Sequence, residues 1–365
     1  MTLPRTSTLA DRFPLVARKR PPAKPLGARV ARLLGLAESA GRDLDSDKAS
    51  VVFNGAALVA SDCGDSELAS EWCRRHARLY LDRAPLDGYT GRFALEPVVN
   101  LARLRSRAGD GEGAHRLLTD LYQAIDHRTA ACIDGLEIRY DQLPTEPDQR
   151  KQIMGWLNEV MLSDGTRALT LAGRWRDALT HVRRYDGIGP ALGEGRQVVV
   201  IALAMQGNNA TAAVLLREAT IEQPWEEVVR DLLRNWHAQA TGAEPPAGQE
   251  ELLDRAIEIP SAPGLSVFRT RLCLTTIDLG PDVPPAAIES TVGRLVAEVL
   301  RDEDGNAARD LLEHPTVGAA HHAQLRHLVE ASGLGSGLVP DAMRESLSSA
   351  LDLAEMAIDA RLSRR

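Results

Sequence analysis

Aromatic side chains make up only 4% of this chain. Strands of sandwiches and barrels draw on aromatic and β-branched residues, so the scarcity argues against both and favours helices packed closely through Ala and Leu. Lysine is nearly missing: Lys19, Lys24, Lys48 and Lys151 are the only ones, and almost all of the 43 basic residues are Arg. That bias points to a GC-rich bacterial coding sequence and says nothing about mechanism. The four cysteines, Cys63, Cys73, Cys132 and Cys273, are scattered without a Cys-x-x-Cys pair. They exclude a disulfide framework and fit a reducing cytoplasm. No run approaches the roughly 18 apolar residues of a membrane span. Charges and prolines interrupt the N-terminus where a secretory signal would need an apolar core. The expectation is a soluble, cytoplasmic protein.

What is present is a chain of 365 residues, 44% hydrophobic and 26% charged. That is enough for two ordinary domains or one elongated array around a large core. The net charge of −8 hides an asymmetry. Residues 1–35 carry Arg5, Arg12, Arg18, Lys19, Arg20, Lys24, Arg29 and Arg32 against Asp11 alone. The rest is acidic, which argues against a broad nucleic-acid surface. Pro4, Pro14, Pro21, Pro22 and Pro25 block a long helix in residues 1–25. That stretch reads as a flexible basic arm, solvated or touching an acidic partner.

From residue 27 the apolar pattern has the 3.6 period of helices. A first helix is expected from Gly27 to Ser39, ended by Gly41. Further helices are expected near 46–62, 65–83, 92–107, 111–126, 150–172, 174–185, 191–206, 208–221, 225–240, 249–258, 265–278, 285–301, 305–313, 316–332 and 341–362. One stretch departs from this rule. Ala131-Cys132-Ile133 and Leu136-Glu137-Ile138 alternate around Asp134-Gly135, the strongest short-range hairpin signal. A small β-hairpin insertion is expected near 130–140. Gly333-Leu334-Gly335-Ser336-Gly337 reads as a flexible link to the final helix.

A period of 34 runs through the middle of the chain. Gly173 and Ala178 recur as Gly207 and Ala212, and Pro190 and Pro224 stand 12 residues after each Ala. The Gly supplies a left-handed residue at a helix end, the Ala allows a close helix approach, and the Pro redirects the chain. Weaker copies are Gly64-Asp65 with Ala69, Gly109-Asp110 with Ala114, Gly242 with Ala247, and Gly305 with Ala308. A second internal match pairs Val52-Phe53-Asn54-Gly55-Ala56-Ala57-Leu58 with Val98-Val99-Asn100-Leu101-Ala102-Arg103-Leu104.

This spacing, with Ala-Gly-Arg-Trp-Arg-Asp-Ala-Leu at 172–179, resembles the tetratricopeptide repeat. The resemblance implies an all-α fold, a right-handed superhelical solenoid of antiparallel helix hairpins. Repeats would fill residues 26–260, and further helical repeats in 261–365 would continue the array. Residues 46–230 are also similar to the helical-repeat sensory half of actinobacterial regulators, in phrases such as Ala-Ser-Asp-Cys-Gly-Asp (60–65) and Asp-Gly-Thr-Arg-Ala-Leu (164–169). Those proteins often begin with a helix-turn-helix domain. Here about 45 residues with one helix precede the array, too few for a three-helix DNA reader.

In such solenoids the first helix of each hairpin lines a concave face that holds a peptide or a partner helix. The resemblance places Asn54, Asn100, Arg103, Arg107, Asp164 and Arg167 on that face. Asn offers a donor and an acceptor to a peptide amide, and Arg a fork for a carboxylate. The bland alternative is that the Asn residues bridge neighbouring helices and the Arg residues sit in solvated ion pairs.

Signals for chemistry are missing. There is no Gly-x4-Gly-Lys-Ser/Thr, Gly-x-Ser-x-Gly or His-Glu-x2-His. No catalytic residues and no cofactor are expected. His314, His321, His322 and His327 crowd one region, and Cys73 and His76 are three apart, but neither set has ligand spacing for a metal. Glu226-Glu227 and Glu250-Glu251 open helices, where the dipole favours them. Trp72, Trp156, Trp175, Trp225 and Trp236 read as packing anchors. The function expected is a protein- or peptide-binding scaffold, regulatory or accessory to a natural-product pathway. The rivals are a ligand-responsive sensor and an accessory subunit of a peptide-modifying enzyme.

Overall fold

The structure is a computed structural model and describes residues 12–363 apart from Ala84, Thr145 and Pro281. The regular secondary structure of the described residues is helical but for one small sheet. The helices are α1 (Leu26–Asp43), α2 (Ser46–Cys63), α3 (Ser66–Leu81), α4 (Gly88–Arg107) and α5 (Gly111–His127). Strands β1 (Ala131–Ile133) and β2 (Leu136–Ile138) come next, then a single 3-10 turn at Tyr140–Gln142. Beyond it lie α6 (Pro147–Val160), a π-turn (Met161–Gly165), α7 (Thr166–Leu171), α8 (Trp175–Arg184), α9 (Glu194–Met205), α10 (Asn209–Arg217) and α11 (Pro224–Thr241). The chain continues through α12 (Gln249–Glu258), α13 (Ser266–Leu279), α14 (Pro285–Asp302), α15 (Gly305–Leu312), α16 (Ala319–Ala331) and α17 (Asp341–Leu362). No helix among the described residues is long and apolar enough to cross a membrane.

Two compact units divide the chain elsewhere than the repeat pattern suggested, and each joins distant segments. The first holds residues 26–172 and 333–363, the second 12–25 and 173–332. In the first, α17 packs on α1, α2 and α3, so it covers the start of this unit. Phe53, Leu33, Leu95, Leu118, Leu121 and Leu157 are among its fully buried side chains. The stretch read as a flexible link is docked here: Gly335 N–H donates to the Asp62 carbonyl (2.8 Å) and Gly337 N–H to that of Cys63 (2.6 Å).

In the second unit the expected basic arm is packed from Arg12 onward; residues 1–11, with Arg5 and Asp11, lie outside the described residues. Phe13, Leu15 and Ala23 are buried. Leu15 N–H donates to Gln197 Oε1, and Gln197 Nε2 donates back to the Leu15 carbonyl, both at 2.8 Å. Ala23 N–H donates to Asp304 Oδ1 (3.1 Å), and its carbonyl accepts from Ser332 Oγ (2.7 Å). Arg12 pairs with Asp278, Arg18 with Glu194, and Lys24 with Glu303. The prolines do prevent a helix, but an extended strand can still bury apolar side chains and satisfy its amides on a neighbouring surface. The acidic partner of this basic segment is the chain itself.

One turn recurs. Leu44, Gly64, Gly109, Gly173, Gly207 and Glu303 all have φ between 48° and 94°. Five residues after each stands an alanine with no exposed surface: Ala49, Ala69, Ala114, Ala178, Ala212 and Ala308. Between them, the side chains of Asp45, Asp65, Asp110 and Asp304 accept backbone N–H groups at the start of the next helix. The left-handed residue ends one helix, the Asp begins the next, and the methyl-sized side chain lets the two cross closely. Two copies were invisible or misplaced in the sequence, because Leu44 and Glu303 occupy the position where Gly is expected. The first helix accordingly runs past Gly41 to Asp43. Pro224 opens α11 at its first turn instead of closing α10. The loop before it departs from helix because Thr220 N–H donates to the Pro190 carbonyl (2.9 Å).

Ala69→Leu in the first unit and Ala212→Leu in the second are each expected to destabilise by about 1–3 kcal/mol through overpacking. The check is a lowered denaturant midpoint at unchanged slope. Wild-type midpoints in both variants would mean that these alanines do not sit at close crossings.

Candidate functional site

The site is built from α2 and α4 of the first unit and the π-turn after α6. Helix α2 buries Val52, Phe53, Ala56, Ala57, Val59 and Ala60. Val51, Asn54, Leu58 and Ser61 are left at least partly exposed on its other side. Helix α4 starts at Gly88, earlier than its apolar pattern suggests, because Asp87 and Thr90 form a reciprocal capping box. Among its accessible residues, Tyr89, Phe93, Glu96, Asn100, Arg103 and Arg107 step by four and three, tracing one helical stripe. Pro97 sits inside α4 and is buried. Having no N–H, it leaves the Phe93 carbonyl without its helical donor.

Four of the six residues expected from the sequence form one hydrogen-bonded row. Asn100 Nδ2 donates to Asn54 Oδ1 at 3.0 Å. Arg103 Nη1 donates to Asn100 Oδ1 at 3.0 Å. Arg103 Nε and Nη2 both donate to Asp164 Oδ2, at 3.1 and 2.8 Å. Asp164 lies in the π-turn. Such a turn inserts a residue and rotates the downstream helix by roughly 100° relative to an uninterrupted one, and it is frequent at functional sites.

Arg107 takes a different partner. It and Arg29 of α1 both pair with Asp62, whose side chain is 2% exposed. This triad ties α1, α2 and α4 together at the point where residues 335–337 dock on α2. Arg167 is half-buried in the first turn of α7, and its carbonyl accepts from Thr170 Oγ1 (3.0 Å). Both expected carboxylate forks on α4 therefore already hold carboxylates of the chain. Among the described residues, the row leaves unused the Asn54 Nδ2 donors at one end and the Asp164 Oδ1 acceptor at the other.

Below this face, Phe53 stacks on His76 (4.8 Å between centroids), which meets Tyr80, and Tyr80 and Tyr89 both meet Phe93. His76 Nε2 lies 3.3 Å from Ser50 Oγ, and its Nδ1 is buried without a partner among the described residues. Burial pushes the His76 pKa down to about 3 and the Cys73 thiol up to about 12. Both stay neutral near pH 7. Trp156, half-buried on α6, lies 5.5 Å from the Arg92 guanidinium of α4. Tyr89 and Phe93 thus add aromatic surface to the α4 stripe that carries Asn100 and Arg103. The four- and three-residue steps of 89, 93, 96, 100, 103 and 107 are the sequence signal for this stripe, and its first turn was missed because the helix was expected to start at 92.

Elsewhere in the first unit, β1 and β2 pair antiparallel, with Ile133 opposite Leu136 and Ala131 opposite Ile138. Asp134 and Gly135 both have positive φ, as their turn requires. Arg74 of α3 and Arg105 of α4 hold the Asp134 carboxylate, and Arg74 Nε also donates to its carbonyl (3.0 Å). In the second unit the buried His314 lies 3.1 Å from Asp278 Oδ1 and 2.7 Å from Thr316 Oγ1. His322 Nε2 donates to the Val317 carbonyl. No group of three or more His, Cys, Asp or Glu that could hold a metal occurs among the described residues.

No protein-family model, no curated protein sequence and no solved structure matches this chain.

Proposed function

We propose that this protein is a tetratricopeptide-like helical-repeat scaffold of the cytoplasm, a right-handed solenoid of helix hairpins. It binds an extended segment of a protein or peptide along the face of α2, α4 and the π-turn. The observation that carries the reading is the row Asn54–Asn100–Arg103–Asp164, which spans three helical segments and ends in a spare donor and a spare acceptor. A peptide group offers the matching pair, a carbonyl and an N–H. Arg103 fixes the geometry of the row by occupying Asn100 and Asp164 at once, so an incoming backbone meets preset partners. Tyr89 and Phe93 supply apolar surface for its side chains. The recurrent turn, with its left-handed residue and buried Ala, supports the repeat reading, and four free cysteines suit a reducing compartment.

The second role of Arg103 revises what it would recognise. With its fork filled by Asp164, it positions neighbours and does not clamp a ligand carboxylate. Two depressions of the surface lie away from this face. They measure about 250 and 340 Å³ and are open to solvent.

The test is capture of a partner by the tagged chain, compared with the Asn100→Ala/Arg103→Ala variant at matched stability. The variant should weaken binding at least about tenfold, the equivalent of one or two lost polar contacts. Equal capture by both forms would show that the face is not the binding surface.

A further inference from the structure

Many arginines of this chain pair with a carboxylate, as Arg29, Arg103, Arg269 and Arg271 do. Three cations of the first unit that do not are gathered around one depression. Arg128, Arg150 and Lys151 form no ion pair among the described residues, although Asp126, Glu146 and Asp148 are close in sequence. Together with Pro147 and Met154 they line an open depression of about 250 Å³. No carboxylate among the described residues lines it.

The elements hold these groups in place. Arg128 is the left-handed cap of α5, with φ of 57°, and its N–H donates to the Ala124 carbonyl. Arg150, Lys151 and Met154 lie on the first two turns of α6, which opens at Pro147. Arg128 and Arg150 both approach the ring of Tyr140, at 5.5 and 5.8 Å from its centroid. Arg150 Nη2 donates to the Asp126 carbonyl (2.9 Å), which orients the guanidinium. Its Nε is buried with no hydrogen-bond partner among the described residues. A buried donor left unused is unfavourable until something accepts from it. The helix start adds positive potential in the same direction.

We propose that this depression binds a phosphoryl group, with the Pro147 and Met154 surface taking the apolar part of the molecule that carries it. Three converging cations without a carboxylate match a dianion. A single carboxylate would be satisfied by one guanidinium fork. The volume exceeds that of several waters at roughly 30 Å³ each, so an attached group fits beside the phosphoryl oxygens. The site is separate from the polar row on α2 and α4 and does not depend on it.

The experiment is calorimetric titration of the full chain with inorganic pyrophosphate and with acetate at low ionic strength. Saturable one-to-one binding of pyrophosphate, much tighter than acetate, is expected. The double variant Arg128→Asn/Lys151→Gln should weaken it at least about tenfold. Asn tolerates the left-handed backbone at 128, and both positions are exposed, so the fold survives. Arg139→Gln, which removes an exposed Arg paired with Asp141, should leave binding unchanged. Absence of saturable binding, equal affinity for acetate, or equal loss in Arg139→Gln would overturn the proposal.

Discussion

Replacing Asp62 with alanine should lower the stability of the protein by about 3–5 kcal/mol, the usual consequence of stranding a buried charge. The Asp62 side chain is 2% exposed and faces two guanidiniums, Arg29 at 11% and Arg107 at 40% exposure. Arg107 can turn to solvent when the carboxylate is removed. Arg29 cannot, and one of its terminal nitrogens, Nη1, is already buried without a partner among the described residues. The cost therefore falls on Arg29. A further variant separates the charge effect from lost packing: Asp62→Leu combined with Arg29→Met removes both buried charges and should recover most of the loss. Denaturant midpoints measure all three proteins. An Asp62→Ala midpoint equal to wild type would mean that Arg29 reaches water by another route.

Acid should unfold the first unit through His76. Burial alone lowers its folded pKa to about 3, from 6.5. Between those values the unfolded chain binds a proton that the folded chain refuses. Stability therefore rises with pH across this window, is fully present above about 6.5, and is lost as pH falls. The slope is about 1.4 kcal/mol per pH unit, so roughly 3 kcal/mol disappears between pH 6.5 and pH 4. Carboxylates contribute at the lower end, so the decisive comparison is with His76→Gln, a neutral side chain of similar size. The wild-type curve should be steeper between pH 6.5 and 5. Parallel curves would mean that His76 is protonated in the folded state, which its stacking against Phe53 in a site without a carboxylate argues against.

Helices were legible because their signals are local. Period, caps and breakers placed α12 at 249–258 and α17 at 341–362, as the structure has them. Where boundaries slipped, a specific interaction intervened. The Asp87–Thr90 box lengthens α4, and the Thr220 amide shortens α10 by bonding to Pro190. The recurrent turn was half legible, since Gly announces a left-handed backbone and Leu44 and Glu303 do not. Of the candidate site, Asn54, Asn100, Arg103 and Asp164 were placed on one face by the tetratricopeptide resemblance, and the structure joins them by hydrogen bonds. Their partners were not readable, because pairing across helices depends on distances that no one-dimensional pattern carries. Asp62 was overlooked for that reason: it sits in an ordinary Ser-Asp-Cys-Gly phrase, and only packing delivers two arginines to it. The docking of residues 12–25 was equally hidden, since prolines report where a helix cannot form and not what an extended strand touches.

The discontinuous make-up of the first unit has a consequence for biosynthesis. Helices α1 to α7 leave the ribosome early, but α17, which covers α1 and α2, is made only after Gly173–Ser332 has been translated. At roughly 5–20 residues per second that delay is on the order of ten seconds. During it, the apolar sides of α1 and α2 destined for α17 remain uncovered on the nascent chain. This interval, more than any property of the finished fold, is when the protein is most exposed to aggregation and most open to a chaperone.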